Sequence, residues 1–337
     1  MSFFAYLCTF GVMTTHVLQA CYPSLHAADF SLINSFRVLL MCMSIVAVNC
    51  FVMISGYFRI KQSWRGFLNL YTQCAFYMII LTTLATLFLN ASAVDILKKT
   101  VFALTESGYW FLTAYLALFL VAPVLNVAFE KQNSKQRKAS LMGLLLIDVY
   151  IGYIHQSPEI SQDVYSAIHF FLIYYIGMYI SEYKCVISGM GGWVIFSILM
   201  VVMHAIKVVF PPFAIIFSMR YNSPAVMLAT FLFFNWARQW KIQSNVVNWI
   251  SVSVLSVYII HMGPFRGYYF FDFVERINNN LPSVAACLSM VSFMIVCYIV
   301  CILIDKVRIL ICTPIIKWLT NKLMMMVNIC WLQKKVK

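Results

Sequence analysis

The residues from Phe3 to Tyr22 read FFAYLCTFGVMTTHVLQACY, a run without a single Asp, Glu, Lys or Arg. About 20 apolar residues are what a helix needs to cross the hydrocarbon core of a bilayer. Lipid offers no partner for backbone polar groups, so a spanning run of this kind is a helix. That choice governs the rest of the chain, because comparable runs recur almost to its end. Inside the first run lies His16. An ionisable side chain at membrane depth is expensive to keep, which makes a working role one reading of it. A simple hydrogen bond to a neighbouring helix is the other.

Composition supports the membrane reading. The chain is 63% hydrophobic and 10% charged, against about 25% charged for a soluble domain. The net charge is +13, but the basic residues are spread through short loops between apolar runs. They act as topology signals and not as a nucleic-acid surface. No charged lead and small-residue cleavage site accompany the first run, so it is expected to be retained as a helix. The eleven cysteines are scattered, with no CxxC pair, so neither a metal site nor a disulfide framework is expected. Cys297 and Cys301, one helical turn apart, read as buried small hydrophobes.

Taken in order, spans are expected near 3–22, 34–58, 67–89, 109–129, 139–154, 165–181, 189–210, 223–237, 246–264 and 283–304. The most hydrophilic connection is EKQNSKQRK, residues 130–138. From Asp305 onward the tail carries seven Lys or Arg among further apolar residues, a pattern suited to an amphipathic helix on the membrane surface. The expected fold is therefore all-α: a polytopic transmembrane bundle of about ten helices over residues 1–305, then a basic cytoplasmic tail over 306–337. An even number of spans puts both termini on one side. The loops on that side and the tail together hold 17 of the 24 Lys and Arg residues, and the positive-inside rule makes that side cytoplasmic.

This topology places the ionisable groups. At 1.5 Å per residue, His16 lies about 20 Å from the inner end of helix one and His261 about 22 Å from the inner end of helix nine. Both fall in the outer half of the bilayer at similar depth. His26, His155, His169 and His204 are also expected on the outer side, with Lys207, Arg220 and Arg266. Asp148, midway along helix five, reads as a helix–helix hydrogen-bonding residue before it reads as a catalytic one. Histidine is the side chain suited to moving protons near neutral pH. Such a cluster can deprotonate a hydroxyl while an acyl donor waits in the bundle, or relay protons in a transporter, and composition does not separate the two.

Five pieces, in order, carry a likeness to a known family: VMTTHV in the first helix, FVMISGYF, YWFLTAYLALFLVAPVLN, HFFLIYYIGMYI, and RYNSPAVMLATFLFF followed by SVLSVYIIHMGPF. Together they resemble the acyltransferase 3 family of integral membrane O-acyltransferases, which modify surface polysaccharides and related glycans. The likeness runs from about Phe3 to Phe265. It implies a ten-helix bundle that takes acetyl-CoA or another acyl-CoA as donor from the cytoplasm, uses no metal, and acylates a hydroxyl of a surface or lipid-linked glycan. It implies a bacterial cytoplasmic (inner) membrane location. His16 matches the family's catalytic histidine and His261 its ninth-helix histidine. The family's basic residue eleven positions before the first histidine is replaced by Ala5.

The remaining candidates each have two readings. Arg59, Lys61 and Arg65 suit a CoA phosphate site, because cationic side chains bind phosphate at a cytoplasmic mouth; they also serve as topology signals. Trp110 suits a substrate site or an interfacial aromatic belt. Arg220, Tyr221 and Asn222 suit an outer glycan site or loop structure. Ser55-Gly56 can mark function or only a close helix contact. The expected function is acyl transfer to a glycan with His16 as general base. The alternative is an exporter or flippase of a glycan or lipid-linked precursor, without chemistry.

Overall fold

The computed structural model describes residues 2–21, 31–89, 92–106, 108–157, 166–183, 190–210, 218–242 and 244–335, and every regular element among them is helical. In chain order these are α1 (Ser2–Ala20), α2 (Leu32–Ser44), α3 (Ala47–Phe58), α4 (Trp64–Leu89), α5 (Ala93–Val101) and α6 (Trp110–Lys131). Next come α7 (Ser134–Leu145), which runs into a π-helical segment (Leu146–Ile154), then α8 (Ala167–Tyr183), α9 (Met190–Val209) and α10 (Pro224–Ala237). Last are α11 (Asn245–Ser251), α12 (Val254–His261), a second π-helical segment (Arg266–Phe271), α13 (Asp272–Asn280) and α14 (Ser283–Lys335).

Among the described residues, five stretches are long and apolar enough to cross a membrane: α1, the α2–α3 pair over Leu32–Phe58, α4, α6, and Ser283–Leu319 of α14. The stretches of the other expected spans form shorter or interrupted helices, which do not by themselves show ten crossings. The expected fifth is α7 plus the π segment, and the expected ninth is α11 and α12 around a turn at Val252 and Ser253. The hydrophilic connection expected over 130–138 shrinks to two residues, because Asn133 caps α7. The Asn133 side chain accepts from the Gln136 amide at 3.0 Å, and Gln136 Oε1 accepts from the Asn133 amide at 2.9 Å. Such a reciprocal box satisfies two of the orphan amides at a helix start.

Glycine sets the tightest contact in the bundle, between α3 and α8. A Cβ on Gly56 would stand 2.1 Å from the Tyr174 carbonyl oxygen, and one on Gly177 would stand 2.4 Å from that of Met53. Small residues let two backbones touch where lipid supplies no hydrophobic drive. The packing reading of Ser55-Gly56 is thus the one the structure supports, with the Ser55 hydroxyl 3.1 Å from that of Tyr115. Three apolar cores surround this contact. The first joins α1, α2, α3, α6, α8, α9 and α10; the second joins α1 to α12, α13 and α14; the third joins α4, α6 and α12. α1 belongs to two of them and α12 to two, so the point where α1 meets α12 is common ground.

One stretch lies deeper than its charges suggest. α14 runs unbroken through Asp305, which is fully buried. One Asp305 carboxylate oxygen accepts from the Tyr77 hydroxyl at 2.7 Å, the Ser256 hydroxyl at 2.5 Å and Arg308 Nε at 2.6 Å. Tyr77 sits near the middle of α4, so Asp305 is inside the bundle and the boundary expected at 305 falls within one continuous helix. A carboxylate with three donors, one of them a guanidinium, tolerates that depth, whereas an unpaired one would not.

Candidate active site

His16, on α1, and His261, the last residue of α12, meet where the cores join. His16 Nδ1 lies 2.8 Å from His261 Nε2, and His261 Nδ1 lies 2.6 Å from the Val257 carbonyl oxygen. Both side chains are buried, at 8% and 4% exposure. The equal depth expected of them is realised as direct contact. The partners fix the protons. A carbonyl only accepts, so His261 Nδ1 carries its hydrogen and donates it to Val257. With both rings neutral, His261 Nε2 is then an acceptor, and His16 Nδ1 donates to it. His16 Nε2 is left as a bare lone pair, without a protein partner among the described residues.

That lone pair belongs to a ring lining a narrow cleft, with Thr9, Val12, Val48, Phe51, Trp110, Phe111, Tyr221, Val254, Leu255 and Tyr258. Its free volume is about 40 Å³, room for about three waters. The walls are aromatic. Trp110 lies against Tyr221, with ring centroids 5.5 Å apart and planes 31° from parallel, and against Phe170 at 5.9 Å. Tyr109, next to Trp110, donates its buried hydroxyl to the Ile259 carbonyl at 3.0 Å, which ties α6 to α12.

A second histidine cluster lies behind Tyr221. Asn49 of α3 donates through Nδ2 to the Tyr221 carbonyl at 2.9 Å. Its Oδ1 therefore faces His169 Nε2, 2.9 Å away, and His169 Nδ1 lies 2.7 Å from Asp148 Oδ2. Asp148, His169 and Asn49 are all buried. Asn49 Oδ1 only accepts, so His169 Nε2 carries a hydrogen. One further proton is shared between Asp148 and His169 Nδ1. Asp148 is thus a helix–helix hydrogen-bonding residue, and its π segment turns it inward toward α8.

The other expected residues fall in different places. Tyr221 and Trp110 are in the cleft wall; of the residues flanking Tyr221 in the chain, Asn222 is buried at 2% exposure and Arg220 is half-buried. Arg59, Lys61 and Arg65 are not near the histidines. Arg59 follows the end of α3, about 12 Å along the axis from Phe51. Its guanidinium is engaged by Glu130 at 2.9 Å and Glu182 at 3.4 Å, while Glu182 also pairs with Arg137 at 3.3 Å. Lys61 and Arg65 are exposed and have no ion-pair partner among the described residues. His155 is exposed, His204 is buried in α9, and Arg266 is half-buried at the start of the second π segment. His26 lies outside the described residues, as does the side chain of Lys207. Residue type gave no signal for the cleft residues Thr9, Phe51 and Phe111, which look like any spanning residue until the helices are packed. Among the described residues no cluster of His, Cys, Asp or Glu is arranged to hold a metal ion.

The model of the acyltransferase 3 family, an acyltransferase domain, matches residues 6–302. The chain belongs to the acyltransferase 3 family. No curated protein and no solved structure matches it. Family membership and the apolar helices together make the chain a multi-pass membrane acyltransferase. The match ends three residues before Asp305, so the buried Asp305–Arg308 pair lies beyond it.

Proposed function

We propose that this protein moves an acyl group, acetyl in the first instance, from acyl-CoA to a hydroxyl of a surface or lipid-linked glycan, with His16 as general base. The observation that carries the reading is the chain Val257 carbonyl, His261, His16. It leaves His16 Nε2 without a partner among the described residues, on a ring that lines a mostly apolar cleft. In the reaction the acceptor hydroxyl gives its proton to His16 Nε2 as its oxygen bonds to the thioester carbonyl carbon. The tetrahedral intermediate then collapses, the carbon–sulfur bond breaks, and His16 returns the proton to the departing thiolate. The products are the glycan ester and free CoA, and His16 is regenerated. His261 acts as a positioning residue: it fixes the His16 tautomer and accepts part of the charge that develops on the ring. A positioned base typically contributes about 10²–10⁴-fold.

The donor is expected from the opposite mouth. Lys61 and Arg65 are the cations free for the CoA phosphates, since Arg59 is already neutralised by two glutamates. Trp64, 73% exposed between them, offers a face for the adenine. The termini face the cytoplasm by the distribution of positive charge, which puts Lys61 and Arg65 on the side where CoA is found. The cleft, about 40 Å³ with Trp110 and Tyr221 in its wall, is too small for both substrates as it stands. The location proposed with this reading is a bacterial cytoplasmic membrane, with the ends of both substrates meeting near His16.

The test is His16→Ala in protein shown to be inserted at normal abundance, read as ester content of the surface glycan. Loss of ester with normal polymer export is expected. Wild-type esterification would overturn base catalysis by His16, and loss of the polymer itself would point to an exporter.

A further inference from the structure

α12 is only eight residues long, follows a turn, and has no side-chain cap at its start among the described residues. Yet it carries His261 and three residues of the cleft wall, Val254, Leu255 and Tyr258. Its neighbours include α4 and α14. Apolar faces alone leave a short helix free to slide and turn, whereas hydrogen bonds are directional and fix both. A polar cluster around Asp305 supplies them. Ser256 of α12 donates to Asp305 Oδ1 at 2.5 Å and accepts from Gln73 Nε2 at 2.7 Å, so its hydroxyl is engaged in both senses. Tyr77 and Arg308 donate to the same carboxylate oxygen. Lys306, the next residue of α14, reaches the other side of the turn. Its ammonium donates to the Trp249 carbonyl of α11 and lies 4.3 Å from the centre of the Trp249 ring. Consecutive residues of α14 thus hold α11 and α12, and they lie beyond residue 302, where the family match ends. Stability alone does not call for a buried charge pair, since well-packed apolar side chains often do as well or better.

The cluster bears on the histidines through one peptide unit. Ser256 is followed in the chain by Val257, whose carbonyl accepts from His261 Nδ1 at 2.6 Å. A displacement of Ser256 moves the acceptor that fixes the His261 ring. It therefore moves His261 Nε2, to which His16 donates at 2.8 Å. We propose that Asp305 is a positioning residue: through Ser256 it sets the height and rotation of α12, and so the alignment of the His16–His261 pair. Arg308 balances the charge of the carboxylate and Lys306 braces the turn. The effect on turnover rests on the acyltransferase reading; the effect on the histidine pair does not.

Two substitutions test it by removing one hydrogen bond each from the same carboxylate oxygen. Ser256→Ala cuts the tie to α12. Tyr77→Phe cuts the tie to α4, and none of the cleft-lining residues is on α4. Full-length protein carrying ¹⁵N-histidine is placed in lipid nanodiscs and read by NMR, with the signals assigned through His16→Gln. The quantity followed is the nitrogen–nitrogen coupling across the hydrogen bond from His16 Nδ1 to His261 Nε2. Both substitutions are expected to lower thermal stability to a similar degree. Only Ser256→Ala is expected to lose the coupling, and its esterification per inserted molecule should fall about three- to tenfold, the worth of the hydrogen bonding that orients His261. Tyr77→Phe should keep both. If Ser256→Ala does not accumulate, Asp305→Leu with Arg308→Met is read in its place. Those side chains remove the tie without stranding a charge, and the same loss of coupling is expected in a stable protein. A coupling that is absent from the wild type, survives loss of the tie, or disappears equally in Tyr77→Phe overturns the proposal. If the coupling responds as expected while the wild type forms no glycan ester, the positioning role stands and the acyltransferase reading falls.

Discussion

The two buried histidine clusters use the same residue type in opposite ways. At His169 both ring nitrogens are engaged, by Asn49 and Asp148. The cluster leaves no ring nitrogen open, and its residues are not in the cleft lining. At His16 one nitrogen is engaged and the other is not, and the open one belongs to a ring lining the cleft. The His16 pair also lacks a carboxylate: its last acceptor is the Val257 carbonyl. The His169 cluster ends instead on the Asp148 carboxyl. A carbonyl orients the ring while adding no full charge. Burial alone thus does not separate a working histidine from a structural one; the count of satisfied nitrogens does.

That contrast is broken most severely at its catalytic end. His16→Ala removes the base and is expected to lower acyl transfer by about 10²–10⁴-fold, with membrane abundance held, as measured by ester release per inserted molecule. His169→Ala is expected to do the reverse. It leaves the Asp148 carboxyl and Asn49 Oδ1 buried without their partner, a loss of about 3–5 kcal/mol for breaking a buried pair. The readout is detergent-solubilised thermal stability and abundance, with the activity of each surviving molecule less affected. Should His169→Ala leave stability intact and abolish turnover, the assignment of the two clusters is inverted.

His261 sharpens the comparison from inside the site. His261→Gln keeps an acceptor near His16 Nδ1 but loses the fixed ring geometry and the hydrogen bond to Val257. A hydrogen bond of this kind contributes about 0.5–1.5 kcal/mol net, so a loss of turnover near tenfold is expected, well short of that for His16→Ala. The loss should be in kcat, with acceptor KM held. An effect on KM alone would make His261 part of the acceptor site and not a positioning residue.

How much of this could be read from the chain depended on whether a signal was local. Spans such as α1, α4 and α6 are set by apolar runs of sufficient length, and their ends fall close to expectation: Ser2–Ala20 against 3–22, and Trp64–Leu89 against 67–89. The shared depth of His16 and His261 was also legible, because helix rise converts sequence position into height. Their contact was not legible, since rotation about a helix axis depends on which face packs. That the last helix continues past 304 was not legible for a related reason. Asp305 and Arg308 look like the start of a solvated tail, but they pair with one another, and one Asp305 oxygen also accepts from Tyr77 and Ser256, contributed by α4 and α12. Arg59 likewise read as a free cation until folding brought Glu130 and Glu182 to it. The π turn around Asp148 carries no residue signature at all.

The smallest expected effect is the most informative about the closed cluster. Between Asp148 and His169 there is one proton, held either by the ring or by the carboxyl. Asp148→Asn replaces that arrangement with a neutral pair of nearly the same shape: the amide donates to His169 Nδ1, and His169 still donates through Nε2 to Asn49. No buried group loses its partner, so the change is expected within about 1 kcal/mol in stability, below the 1–3 kcal/mol of a buried polar group left unsatisfied. Asp148→Ala does strand Nδ1 and is expected to fall in that higher range. Turnover in Asp148→Asn should follow wild type, because Asn49 still holds the Tyr221 carbonyl and the cleft wall stays in place. A large loss of turnover in Asp148→Asn, with stability unchanged, would show that the negative charge itself is used. The cluster behind Tyr221 would then be part of the chemistry and not only the frame that holds the cleft.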